Sequence, residues 1–194
     1  MQFRFLHTVF VLLALMVILA GCTGSPFAPP AGTVPNDGIL MSQLLLSPSE
    51  IPFEVADTKT QNPDMKEPVF SQYGGIQGMT RYSISEKTPS ATSVQLGQTL
   101  VEYPPGNAGL AFAGFEKMTR EADQSRYRIT WLPDPEIGNR SCALIIADST
   151  GVDKPTAMIV FVKSNIMESV VMVAPSLDLD ALTRAARAAA AKIP

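Results

Sequence analysis

The residues able to do chemistry in this chain are few, and most are carboxylates. Asp134 and Glu136 fall in "LPDPEIGN", and Asp148 and Asp153 in "ADSTGVDK", two turn-rich stretches. Two carboxylates about 5–10 Å apart can serve a hydrolase as acid and base, and hard oxygen ligands suit calcium. These spacings match no calcium loop, and Asp favours turns because it bonds its own backbone. Ordinary turn chemistry is therefore the expectation, with no catalytic residue and no metal ligand assigned. A carboxylate-dependent hydrolase stays open as an alternative if both turns fall at one end of a sheet.

Other reactive groups are scarcer still. The chain has one histidine, His7, inside an N-terminal apolar stretch, and two cysteines, Cys22 and Cys142. With no histidine beyond that stretch, Ser-His-Asp and Cys-His catalysis are excluded, as are His-rich zinc sites. There is no G-x-S-x-G, S-x-x-K, H-E-x-x-H, C-x-x-C, P-loop or dinucleotide fingerprint, and no cofactor is expected. Cys142, in "SCALIIAD", is expected to be buried and inert. Net charge is −3, with 15 basic and 18 acidic side chains and no basic run, so a nucleic-acid partner is not expected.

Three features could meet a partner. Trp131 closes "YRITWL" just before a Pro-rich turn, and Tyr73, Gly74 and Gly75 open "YGGIQG". Together they are candidates for ligand or partner contact, as a pocket wall and a glycine-rich loop, against the plainer reading of a packed Trp and a surface loop. Asn139-Arg140-Ser141 is an N-glycosylation sequon in an expected surface turn, which makes Asn139 a candidate acceptor.

The N-terminus explains Cys22. Arg4 supplies a positive charge, and Val9 to Ala20 is wholly apolar. That length suits a signal segment of about 7–15 residues and is short for a span of about 20. Leu19-Ala20-Gly21-Cys22 resembles the lipobox of prokaryotic lipoproteins. The resemblance covers about the first 22 residues and implies that Cys22 becomes the first mature residue and carries lipid on its sulfur. Two or more acyl chains (palmitate among them) anchor stably, at roughly 0.8 kcal/mol per buried CH2. "TGSPFAPPAGTVPNDG" then reads as an extended tether. The expected organisation is a signal peptide over 1–21, lipidated Cys and Pro/Gly-rich tether over 22–38, and a single domain over 39–194.

That domain must position whatever site exists. Ile39 to Leu46 suggests a short helix, and Ser47-Pro48-Ser49-Glu50 a capping box. Phe53 to Gly78 is polar and broken by Pro and Gly, so mostly loop and a candidate lid, with "FEVADTK" as its one extended part. Strands follow at "TRYSIS" and "SVQLGQTLVEY", with a bulge expected at Gly97. A helix over "AGLAFAGFEKMTREA" is expected to bury Ala111, Phe115, Met118 and Ala122, flanked by Leu110 and Phe112. Four strands, "YRITWL", "CALIIAD", "AMIVFVK" and "ESVVMVA", precede a helix over "LDLDALTRAARAAAAKI". The fold class expected is α+β, an antiparallel sheet of about five to six strands with helices on both faces. Its element order resembles the PsbP-like fold, which implies an adaptor or binding domain more often than an enzyme.

The function expected is a lipid-anchored exported lipoprotein whose domain binds a protein partner or small ligand without catalysis. It resembles the small surface lipoproteins of prokaryotes, those of methanogenic archaea included. Partners would be the membrane, through the lipid on Cys22, and an envelope protein or small ligand on the extracytoplasmic side. A structural envelope protein is the other alternative.

Overall fold

A computed structural model describes residues 40–87, 90–122, 127–149 and 153–194. The signal segment, Cys22 and the tether lie outside the described residues. The sheet has seven antiparallel strands: β1 Asp57–Gln61, β2 Gln77–Ile84, β3 Gln95–Glu102, β4 Tyr127–Leu132, β5 Arg140–Asp148, β6 Thr156–Lys163 and β7 Ile166–Val173. They run in the order β1-β2-β3-β7-β6-β5-β4. The class is α+β as expected, but the five to six strands become seven. The added strand, β1, lies inside the segment expected to be mostly loop and overlaps its one expected extended part, "FEVADTK", at Asp57 to Lys59. Its sequence "DTKTQ" is exposed at four of five positions, so it carries no apolar alternation. Its charged residues suit an outer edge, where unpaired backbone would otherwise invite another strand.

Two long helices cover the faces. Helix α3, Asn107–Glu121, lies on one face and helix α4, Leu179–Lys192, on the other; α1 (Met41–Leu44) and α2 (Pro68–Ser71) are single turns. Burial on both faces explains why β6 is apolar at successive positions, with Thr156 to Val162 all buried. Strand β7 instead alternates, with Ile166, Glu168, Val170 and Met172 inward under α4.

Helix α4 forms as its sequence indicates. Asp178 caps it by accepting the Ala181 N–H at 2.8 Å, a bond that satisfies one of the free amides of the first turn. Leu182, Ala185, Ala186 and Ala189 are buried, and their small side chains let the helix lie close to the sheet. Helix α3 buries Ala108, Ala111, Phe112 and Phe115. Ala111, Phe115 and Ala122 of the expected stripe are buried, while Met118 is only half-buried and Leu110 is exposed, so the buried face is turned toward Ala108 and Phe112. Gly97 makes no bulge: it pairs in register with Tyr82 and Val171, and the Tyr82 ring packs above it.

The chain enters this fold through a strap, Leu40 to Ile51. Its helical part is one turn only, and it then runs extended to a 3-10 turn at Pro48–Glu50. Met41, Leu44, Leu45, Leu46 and Ile51 are buried in the same apolar layer as α4.

Candidate functional site

The residues expected to line one site are not together. Trp131 pairs with Leu144, and the same row runs through Met158, Val171 and Gly97 to Tyr82. The "YGGIQG" loop leads instead into the first residues of β2, where Gly78 pairs with Val101. Five inter-strand steps of about 4.8 Å put Trp131 roughly 24 Å across the sheet from β2. The Trp131 ring is covered by the Arg120 guanidinium at 4.2 Å from its centroid. Arg120 in turn approaches Glu116 at 4.0 Å, and Glu116 also binds Arg140 at 3.0 Å. Trp131 is thus an edge-packing residue under an arginine, not a pocket wall shared with the glycine loop.

Tyr73, Gly74 and Gly75 form a tight seat at the start of α3. Asn107 donates to the Tyr73 carbonyl at 3.0 Å. The Tyr73 hydroxyl lies so close to Gly114 that any Cβ there would overlap it. Gly74 has φ +72°. A Cβ on Gly75 would sit 2.7 Å from Met65 Cε and 3.1 Å from the Phe70 carbonyl oxygen. The close approach that Gly75 permits is therefore taken by the chain's own loop. Phe53 to Gly78 is not a free lid either, since it contains β1 and α2 and Gly75 N–H bonds the Phe70 carbonyl at 3.0 Å.

The acidic turns separate as well. Asp134 accepts from the Ser141 hydroxyl and, at 2.9 Å, from the Glu136 N–H, at the start of β5. Asp148 ends that strand, and Asp153 precedes β6 at the same end. Eight residues of strand rise are roughly 27 Å. The turns do not share one end of the sheet, and a carboxylate pair cannot be built from them. Among the described residues no three His, Cys, Asp or Glu side chains group as a metal site. Asn139 is exposed, and its side-chain oxygen accepts the Ser164 N–H at 3.0 Å. Cys142 is buried; burial first, then the Glu116 and Asp134 charges, push its thiol up to about 12, which leaves it inert.

The one chemically unusual group is elsewhere. Glu168, in the middle of β7, has 0% of its surface exposed. Its neighbours in register are Leu100 and Phe161, both apolar. One carboxyl oxygen accepts from Gln98 Nε2 at 2.7 Å. The other has no hydrogen-bond partner among the described residues. Burial pushes this carboxyl up to about 8, against the Gln98 bond and the Lys192 charge, which both pull it down. At neutral pH it is largely a neutral acid in a core, because an ion there would lose its water without a full set of replacements.

Gln98 links this acid to the strap. Its Oε1 accepts the Leu46 N–H at 2.7 Å, and its Nε2 also reaches the Leu44 carbonyl at 3.3 Å. Arg81 donates to the Leu46 carbonyl at 2.7 Å, and Lys192 to the Leu45 carbonyl at 3.1 Å. Three successive residues are therefore held by side chains from β2, β3 and α4 rather than by strand pairing.

The strap ends in the expected box. The Glu50 carboxylate accepts the Ser47 N–H and hydroxyl, each at 2.6 Å, and pairs with Lys192 at 2.8 Å. Burial works against its ionisation, but the bonds from Lys192 and Ser47 and the Lys192 charge outweigh that and hold it down at about 2. A depressed carboxylate stabilises the fold above its ordinary value of 4.5, and that contribution is lost as pH falls toward 2. Glu50→Gln is expected to flatten the decline in stability between pH 4.5 and pH 2, read from denaturant midpoints. An unchanged acid slope would show that the box and ion pair contribute nothing.

Sequence reasoning passed over Glu168 and Gln98, yet each left a signal. Gln98 falls between Leu96 and Leu100, and Glu168 between Ile166 and Val170, at the inward positions of two alternating strands.

The architecture defines an α+β domain with one antiparallel sheet between two helices. No protein-family model matches the chain, and no curated protein matches it. Among solved structures, the crystal structure of the extracellular domain of PknH from Mycobacterium tuberculosis is similar, with a TM-score of 0.57 and 14% sequence identity over 78% of this chain and 94% of that one. The likeness is of fold, and it is to that domain rather than specifically to the PsbP type.

Proposed function

We propose that this chain is a lipoprotein anchored through Cys22, whose domain stands on the extracytoplasmic side and binds a protein partner without catalysis. The observation that carries the binding reading is where large apolar side chains remain exposed. Among the described residues these are Leu40, Ile76 and Leu110, and the last two are 42% and 59% exposed. Ile76 follows Gly75 directly. Leu110 shares a helix stripe with Asn107 and Gly114, the two residues that seat Tyr73. Apolar groups gathered around a rigid loop suit a partner surface. Extracytoplasmic placement draws support from the fold's likeness to a domain described as extracellular. No helix among the described residues is long and apolar enough to cross a membrane, so attachment by lipid is consistent with the fold.

The test is a native mass spectrum of the protein gently extracted from its own host's membrane. Acyl mass on Cys22 and a noncovalent partner mass are expected, and the partner mass should be lost in Ile76→Asp and Leu110→Asp. An unacylated chain would remove the anchor. A bare monomer, or a partner retained by both variants, would remove the binding surface.

A further inference from the structure

We propose that the strap from Leu40 to Ile51 is a displaceable cover, latched by Gln98 onto the Glu168 carboxyl, and that it opens when that carboxyl gives up its proton to solvent. The latch is a single amide. Gln98 Nε2 is shared between Glu168 and the Leu44 carbonyl, and its Oε1 takes the Leu46 N–H, so the carboxyl sets the orientation in which the amide grips the strap. A second observation marks the carboxyl as unfinished: its other oxygen is fully buried and unpartnered among the described residues. Ionisation would leave that oxygen charged beside Leu100 and Phe161, and lifting the strap admits the water that a carboxylate needs.

The other charged groups around it do not supply that solvation. Lys192 of α4 already donates to the Leu45 carbonyl and pairs with Glu50, and Arg81 of β2 holds the Leu46 carbonyl. Beside it β3 and β6 present Gln98, Leu100 and Phe161; two residues along the same face, the buried Glu102 of β3 accepts from Gln77 and Asn165, and Lys163 of β6 donates to the Ala190 and Ile193 carbonyls. The ionised carboxyl keeps its Gln98 bond, so what gives way is the cover above it: the strap has no strand ladder, and side-chain bonds from Gln98, Arg81 and Lys192 are its polar grips. Opening would bare an apolar trough over the sheet, at the point where the tether joins the domain.

Linkage gives the sign. The carboxyl has a value of about 8 when covered and the ordinary 4.5 when open to water. Between those limits the open population rises about tenfold per pH unit, and outside them it is level. The experiment is hydrogen exchange on the full chain in detergent micelles, corrected for intrinsic exchange chemistry. From pH 5.5 to 7.5, protection of the Leu45 and Leu46 amides is expected to fall about 100-fold while the β7 amides hold. In Glu168→Gln that fall should vanish. Strap protection that does not change with pH, or that falls together with β7, would overturn the proposal, as would a fall that survives in Glu168→Gln. Should that variant fail to fold, carbon NMR of the wild-type carboxyl decides. A Glu168 midpoint shared with the strap signals supports the latch, and a midpoint near 4.5 overturns it.

Discussion

Replacing Glu168 by glutamine is expected to stabilise the domain by about 4 kcal/mol at pH 8 and by about 1 kcal/mol or less at pH 5. The folded carboxyl is raised to about 8 from an ordinary value of 4.5. Between those values the unfolded chain has lost a proton that the folded chain retains, so stability falls as pH rises through the window and levels off above it. Glutamine keeps the acceptor for Gln98 and has no proton to lose, so its stability should be level over the same range. The figure is an upper bound, since a strap that lifts locally relieves part of the cost before the whole domain unfolds. Denaturant midpoints for both proteins from pH 5 to pH 9 make the comparison. A constant difference across that range would mean that Glu168 is already charged in the core.

Gly138→Ala is expected to cost about 3 kcal/mol or more, combining a left-handed backbone with a steric clash. Gly138 has φ +67°, and a Cβ there would overlap the Val162 carbonyl oxygen. That same oxygen accepts the Asn139 N–H at 2.7 Å. The turn can retreat only by pulling away from the β6–β7 hairpin, where the end of the chain is held. Lys163 donates to the Ala190 carbonyl at 3.0 Å and also to the Ile193 carbonyl, and Ser164 reaches the Pro194 carbonyl at 2.9 Å. Gly109→Ala is the control. It lies inside α3 with no atom within 4 Å of the added Cβ, and it should stabilise by up to about 1 kcal/mol. Thermal midpoints that place the two variants together would show that the Gly138 turn is not tight.

These two sites differ in how far the sequence announced them. Helix α4 was legible because its cap, its small buried face and its C-terminal Lys192 all point to one helix in one orientation. Strand β6 was legible because burial on both faces leaves Ala157 to Val162 without a polar residue. Strand β1 was legible only in part: "FEVADTK" overlaps it at Asp57 to Lys59, but "DTKTQ" has no buried face to mark its bounds and is held by pairing with β2. The α3 stripe was legible at Ala111, Phe115 and Ala122 but not at its edge, because Leu110 is as apolar as its neighbours and nothing local says that Tyr73 will occupy the groove beside it. The carboxylates that stand out in the sequence lie in turns, where solvent keeps them charged. Glu168 and Gln98 lie in strands, and they meet only because β3 and β7 are neighbours in a particular register.

That neighbourhood also sets an order of events. Gln98 and Glu168 are 70 residues apart in the chain, and β3 has no partner on its inner side until β7 arrives. Until β7 is present, the first three strands can form only a detached half-sheet. Contacts of such long separation close slowly, after the cost of the intervening loop has been met. A chain threaded through a membrane from its N-terminus would therefore stay open through most of its passage. Its two halves would join only as β7 and α4 emerge, with the strap settling over the seam as the last piece.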